Sequence, residues 1–216
     1  MILNQTDFQQ KYDEGSLRLC FIGMSNIGKS YCSQLLETHF NFDRYEVDGE
    51  IQKQIGADGM NDASSWMGYP FESKYQANEK SYLSLEVEKT ELDLSEKSGN
   101  LVMDTTGSVI YLNPKVRAYL EQNYLIVSFD VSQSMIDDMM GEFFRSPKTV
   151  VWGNAFNQKE NEQGMDALRR CYPGLLEDRI TRYRALADVT IPGEFSRIKG
   201  LQADRLFEVL KLSLPK

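Results

Sequence analysis

The chain has 216 residues, 41% of them hydrophobic and 26% charged, and its 24 Lys and Arg against 32 Asp and Glu leave a formal net charge of −8. That length buries a full core and fits one globular domain, residues 1–216, with an inserted segment or two; the acidic balance argues against a nucleic-acid or anionic-membrane surface, which needs a basic face. Apolar runs are strand-sized, as at Leu125 to Phe129, and Met1 to Gln10 lacks the basic flank and apolar stretch of a signal peptide, so the expectation is a cytoplasmic protein without membrane or nucleic-acid partners.

The first predicted element is a strand at about 17–22, with Cys20 read as a small buried hydrophobe. It runs into Gly23-Met24-Ser25-Asn26-Ile27-Gly28-Lys29-Ser30, a complete G-x-x-x-x-G-K-[ST] phosphate-binding loop, and then into a helix from Gly28 to about Thr38. Glycines let consecutive N–H groups face one concavity, and the positive end of the following helix completes a nest for phosphate oxygens. The expected contacts of ATP are therefore Gly23, Met24, Ser25, Asn26, Ile27, Gly28, Lys29, Ser30 and the adjoining Tyr31, with Lys29 on the β- and γ-phosphates and the Ser30 hydroxyl on Mg2+. His39, near the end of that helix, has no catalytic partner in view, and Cys20, Cys32 and Cys171 suggest neither a disulfide framework nor a zinc site.

A second strand at about 44–47 ends in Glu46-Val47-Asp48, whose carboxylates at alternate strand positions project to one face; Asp48 is then placed to hold or deprotonate a substrate hydroxyl, or else to cap a helix from Gly49 to Ile55. Residues 56–100, with Gly59, Gly68, Pro70 and a long charged helix through much of Lys74 to Leu94, read as an enlarged crossover that binds the acceptor. A third strand at about 100–103 precedes Asp104, a candidate metal-organising carboxylate or a turn residue. There follow a helix from Pro114 to Gln122, a strand at about 124–129 and a helix from Ser134 to Phe143. Residues 142–164, rich in Asn, Gln, Gly and charge, read as a lid mobile without ligand, with Arg145 or Lys148 as the cation that arrives on closure. Helices from Gly164 to Cys171 and Leu175 to Leu186, a strand at about 188–191 and a helix from Ala203 to Leu212 complete the chain. In this last part Arg179 and Arg182 share a helix face, either to clamp an anion or to pair with Glu177 and Asp178. Five strands alternating with helices predict an α/β fold with a five-stranded parallel sheet flanked by helices.

The stretch Phe21 to Tyr31, then Glu46-Val47-Asp48-Gly49-Glu50-Ile51, then Thr106-Gly107-Ser108-Val109, and finally Arg179 to Ile191 resembles the shikimate kinase family of P-loop small-molecule kinases, in order from about Leu17 to Ile191. The resemblance implies the nucleoside-monophosphate-kinase-like P-loop fold, with Asp48 on the acceptor hydroxyls, Gly107 in the acceptor-binding turn, Arg179 on the acceptor carboxylate and Tyr183 at the family's tyrosine. It also shows departures. The glycine-rich turn after the third strand is Thr105-Thr106-Gly107, preceded by Asp104. An F-R-x-x-E pattern reads Tyr75-Gln76-Ala77-Asn78-Glu79, which puts neutral Gln76 where the family has a second carboxylate-binding arginine. The lid R-P pair becomes Arg145-Ser146-Pro147-Lys148.

The resulting expectation is an ATP- and Mg2+-dependent phosphotransferase acting on a hydroxyl of a small polar, anionic acceptor other than a good shikimate mimic. Two readings compete with it, a nucleotide-binding regulator without turnover and a nucleoside or nucleotide kinase. A monomer or weak dimer is expected.

Overall fold

The structure, a computed structural model, describes residues 3–91, 98–146 and 148–216. Five strands, β1 (Arg18–Gly23), β2 (Asp43–Glu46), β3 (Leu101–Asp104), β4 (Leu125–Asp130) and β5 (Val189–Pro192), pair all-parallel in the order β2-β3-β1-β4-β5. The three inner strands are buried almost end to end, whereas β5 alternates buried and exposed positions. That is the pattern expected of a parallel sheet covered on both faces, and it is why the inner strands read as continuous apolar runs.

The helices are α1 (Gln5–Asp13), α2 (Lys29–Phe40), α3 (Val47–Ile55), α4 (Met60–Met67), α5 (Tyr75–Thr90), α6 (Pro114–Asn123), α7 (Gln133–Arg145), α8 (Gly164–Leu186), α9 (Gly193–Ser196) and α10 (Ala203–Leu212). Helix α2 packs over β2 and β3 and against α10, while α6 and α8 pack against β4. No helix among the described residues is long and apolar enough to cross a membrane.

All five strands lie where the sequence pattern puts them; the helices need four corrections. Helix α1 was not anticipated, although Asn4 and Asp7 form a reciprocal capping box and Phe8 is buried against Phe207 of α10. Helix α4 lies between Gly59 and Gly68, which are its two ends rather than loop punctuation. The two expected helices after Gly164 are one, α8, which continues through Pro173 because Leu168, Cys171, Tyr172, Leu175 and Leu176 are buried on both sides of it; tertiary packing offsets the lost backbone hydrogen bond. Short α9 was also missed. The expected end of the long charged helix, Leu92 to Leu94, lies outside the described residues.

Candidate active site at the strand carboxyl ends

The phosphate loop leaves β1 between β3 and β4, where the connections diverge to opposite sides of the sheet, the usual position of a ligand crevice in an open parallel sheet. Its shape needs left-handed backbone at Asn26, with φ +63°, and at Gly28, with φ +103°. Gly28 is doubly constrained, since a Cβ there would lie 2.6 Å from the Ser196 carbonyl oxygen. Helix α9 thus backs the loop, and Ser196 Oγ reaches the Ile27 carbonyl at 2.5 Å. Lys29 is not the solvent-facing cation its motif suggests. It is 6% exposed, and its ammonium donates to the Gly23 and Met24 carbonyls at 3.0 and 3.1 Å. Ser30 is exposed at the start of α2. Tyr31 turns its hydroxyl to the Leu201 carbonyl at 3.4 Å.

Asp104 ends β3 at 2% exposure, with Oδ2 3.4 Å from Ser33 Oγ and 3.8 Å from Arg44 Nη2. Arg44 in turn pairs with Glu46 at 3.1 Å, a cation that sequence reasoning passed over. Burial pushes the Glu46 carboxyl above its usual range, with Arg44 pulling it down and Asp104 and Asp48 pushing it up. Among the described residues no three His, Cys, Asp or Glu side chains cluster as a metal cage. The donor set here, a hydroxyl at the start of α2 and a carboxylate at the tip of β3, fits Mg2+, which binds through one or two protein groups and completes its shell with phosphate oxygens and water.

One correction to a candidate residue concerns Asp48. It does not alternate with Glu46 along a strand, because Glu46 faces the last residue of β3 and the ladder has no partner beyond it. The chain turns helical at Val47, and Asp48 sits in the first turn of α3, accepting a hydrogen bond from Tyr82 OH at 2.7 Å. Burial raises its pKa, while the Tyr82 bond and Lys29 lower it.

Tyr82 belongs to a polar stripe on α5 that sequence reasoning missed. Tyr75, Glu79, Tyr82 and Glu86 recur at helical spacing, so one face meets several site segments. Glu86 is fully buried and accepts from the Thr106 and Ser108 hydroxyls, the latter at 2.6 Å. Burial pushes its carboxyl up to about 7, with Ser108 and Thr106 lowering it, Asp48 raising it and Arg179 lowering it. The signal was available as a face of polar residues, but a charged helix looks solvated until its partners are known. Gln76, by contrast, is exposed on α5 and lines neither of the two cavities described below.

The two arginines expected to share a face separate. Arg182 is exposed and pairs with Asp178 at 2.9 Å, and Arg184 pairs with Asp130 at 2.7 Å. Arg179 is 4% exposed, donates from Nη2 to the Val151 carbonyl at 2.7 Å, and lies 5.5 Å from the centre of the Tyr111 ring. Among the described residues its Nε has no hydrogen-bond partner and its guanidinium has no ion pair within 4.0 Å. Gly107 accepts from Tyr183 OH at 2.5 Å, and a Cβ there would sit 3.2 Å from Arg179 Nη1 and 3.4 Å from Ser25 Oγ.

Two small cavities share Ser25 and Arg179 as lining residues. One lies beside the phosphate loop, lined by Met24, Ser25, Asn26, Lys148 and Arg179. The other is lined by Ser25, Asp48, Tyr82, Gly107, Ser108 and Arg179. Arg145 is outside both, exposed at the end of α7 with Nε on the Gly141 carbonyl at 3.1 Å. The expected loose polar lid is also corrected in its middle, where Val150, Val151 and Trp152 are buried and bonded to α5 and α8. The polar composition on either side of these three residues concealed an apolar anchor.

A five-stranded parallel sheet in this order with a phosphate loop after its central strand defines a P-loop NTPase fold of the shikimate kinase type. The solved structures it resembles include shikimate kinase from Acinetobacter baumannii in complex with shikimate (TM-score 0.62, 20% identity, 94% of this chain and 95% of that one). Shikimate kinase from Bacteroides thetaiotaomicron matches with TM-score 0.59 and 14% identity over 91% and 97%, and that from Aquifex aeolicus with TM-score 0.57 and 22% identity over 91% and 95%. No family model and no curated protein sequence matches the chain.

Proposed function

We propose that this chain is a small-molecule kinase that moves the γ-phosphoryl group of ATP to a hydroxyl of a small polar, anionic acceptor, in the manner of a shikimate kinase with an altered acceptor site. The observation that supports it most is the shared border of the two cavities: Ser25 and Arg179 line both, which would bring a nucleotide on the phosphate loop and a molecule beside Asp48 to neighbouring places. Phosphoryl transfer depends on such positioning and on neutralising charge that spreads over the transferred group.

In this reading Lys29 leaves the Gly23 and Met24 carbonyls for the phosphates, and Ser30 and Asp104 hold Mg2+, which neutralises phosphate charge. Asp48, fixed by Tyr82, orients the acceptor hydroxyl and receives its proton. Arg179, a buried cation lacking a carboxylate, takes the acceptor's anionic group; a buried charge is costly until paired. The geometry favours Lys148 over Arg145 as the lid cation, since Lys148 faces the phosphate-loop cavity. With Gln76 exposed, one guanidinium holds the anion, and the missing charge-assisted contact weakens shikimate binding by roughly ten- to a hundredfold.

The test is acceptor-dependent ADP release, screened over sugar acids, polyols, nucleosides and shikimate with Lys29→Ala as control. A hydroxylated acid should give the fastest release, with shikimate poor. Preference for a nucleoside would move the protein to the nucleoside kinases. ATP binding with no acceptor-dependent release would make it a nucleotide-binding regulator.

A further inference from the structure

The residues between α7 and α8 include a strap, Val150 to Gly153, whose backbone is tied down from two sides. From α8, Arg179 Nη2 donates to the Val151 carbonyl at 2.7 Å. From α5, Glu79 Oε1 accepts from Trp152 N at 2.8 Å and from Gly153 N at 2.9 Å, and Tyr75 OH lies 2.5 Å from the same oxygen and 3.0 Å from the Val150 carbonyl. Buried backbone groups need partners, and bonds from N–H groups to an ionised carboxylate are stronger than those to a neutral acceptor. The strap side chains add packing: Val151 and Trp152 are each 2% exposed, and the Trp152 ring lies 5.7 Å from Tyr172 and 6.0 Å from Phe156.

The strap's near neighbour is Lys148, which faces the cavity beside Met24, Ser25 and Asn26. A flexible lysine stem gives this cation little precision of its own; its location depends on where the backbone just after it is held. We propose that Glu79 is a positioning residue for the nucleotide: by fixing the strap to α5 it keeps Lys148 over the phosphate-loop cavity. Glu79 itself does not line that cavity, so its influence on a nucleotide runs through the strap. The inference rests on the reading that the loop takes ATP with Mg2+.

The experiment is a double-mutant cycle on MgATP affinity by calorimetry, using the full chain and no acceptor, with wild type, Glu79→Ala, Lys148→Ala and the double variant. Each single variant is expected to weaken binding about tenfold, the scale of one charge-assisted contact, and the double variant no further than Lys148→Ala alone. Glu79→Gln, whose amide oxygen still accepts from the strap, should recover most of the loss. Unchanged affinity in Glu79→Ala, or effects that multiply in the double variant, would overturn the proposal. If Glu79→Ala does not fold, Tyr75→Phe, which removes the shared hydroxyl, takes its place in the same cycle with a smaller amplitude and the same criterion. Wild-type protein that fails to bind MgATP would overturn the nucleotide reading, and this inference with it.

Discussion

In the phosphate loop, the candidate ligand groups come from one uninterrupted stretch, Gly23 to Ser30, shaped by left-handed backbone at Asn26 and Gly28. Around Asp48 they come from α3, α5, the turn after β3 and α8, joined by bonds from Tyr82 to Asp48, from Thr106 and Ser108 to Glu86, and from Tyr183 to the Gly107 carbonyl. A contiguous loop is encoded in local backbone conformation. A dispersed site depends on buried hydrogen bonds, so its specificity can change with single residues while the fold stays intact.

The sharpest way to break the phosphate-loop half is Lys29→Ala. Turnover should fall roughly 10²–10³-fold, the cost of deleting one preorganised donor to developing charge, and MgATP affinity should fall with it. Calorimetry and ADP release on the variant check this, and unchanged values would remove the loop from the mechanism.

The acceptor half is probed next by Glu86→Gln, through stability rather than turnover. The folded-state pKa of Glu86 is raised by burial from 4.5 to about 7, so the protonated form is favoured in the native state. Its stabilising contribution is complete below about pH 4.5 and is lost as pH rises through about 7. Relative to Glu86→Gln, wild type should therefore lose on the order of 3 kcal/mol across that window and stay level above it. Urea melts at several pH values measure the difference directly, and a difference independent of pH would mean that Glu86 is not held as described.

Arg179→Met tests function and stability on the same side. It should cut acceptor-dependent turnover about ten- to a hundredfold, while stability should change by no more than about 1–3 kcal/mol, because the gain from removing a buried cation that has no carboxylate partner is set against a Val151 carbonyl left without its donor. Unchanged turnover in a folded variant would take Arg179 out of the acceptor site.

The smallest effect is expected for Gln76→Arg. The sequence pattern suggests that this change restores a second carboxylate-binding cation, but position 76 faces solvent on α5. Shikimate kinetics should stay within about twofold of wild type, as for a surface substitution away from the site. Recovery of efficient shikimate turnover would show that the helix rotates on closure.

These contrasts also account for what could be read before the tertiary structure. The strands were legible because each inner strand is a short apolar run ended by turn-forming residues, and the phosphate loop because its function depends on consecutive backbone groups. Asp48 was legible as a candidate but not as a helical residue: the end of β3 at Asp104 determines where β2 stops pairing, and that lies far along the chain. Similarly, Glu79 and Glu86 have ordinary surroundings in sequence, and their partners are 73 and 22 residues away at Trp152 and Ser108.

By itself, then, the sequence determined the parallel α/β architecture, the strand positions and the phosphate loop, all of which follow from local periodicity and local backbone freedom. Only the tertiary structure decided which arginine is buried, which of Arg145 and Lys148 lines the cavity beside the loop and which face of α5 meets Asp48, Thr106 and Ser108. Burial and hydrogen-bond pairing are properties of neighbours in space, and a charged residue carries no local mark of whether its neighbour will be water or another buried group.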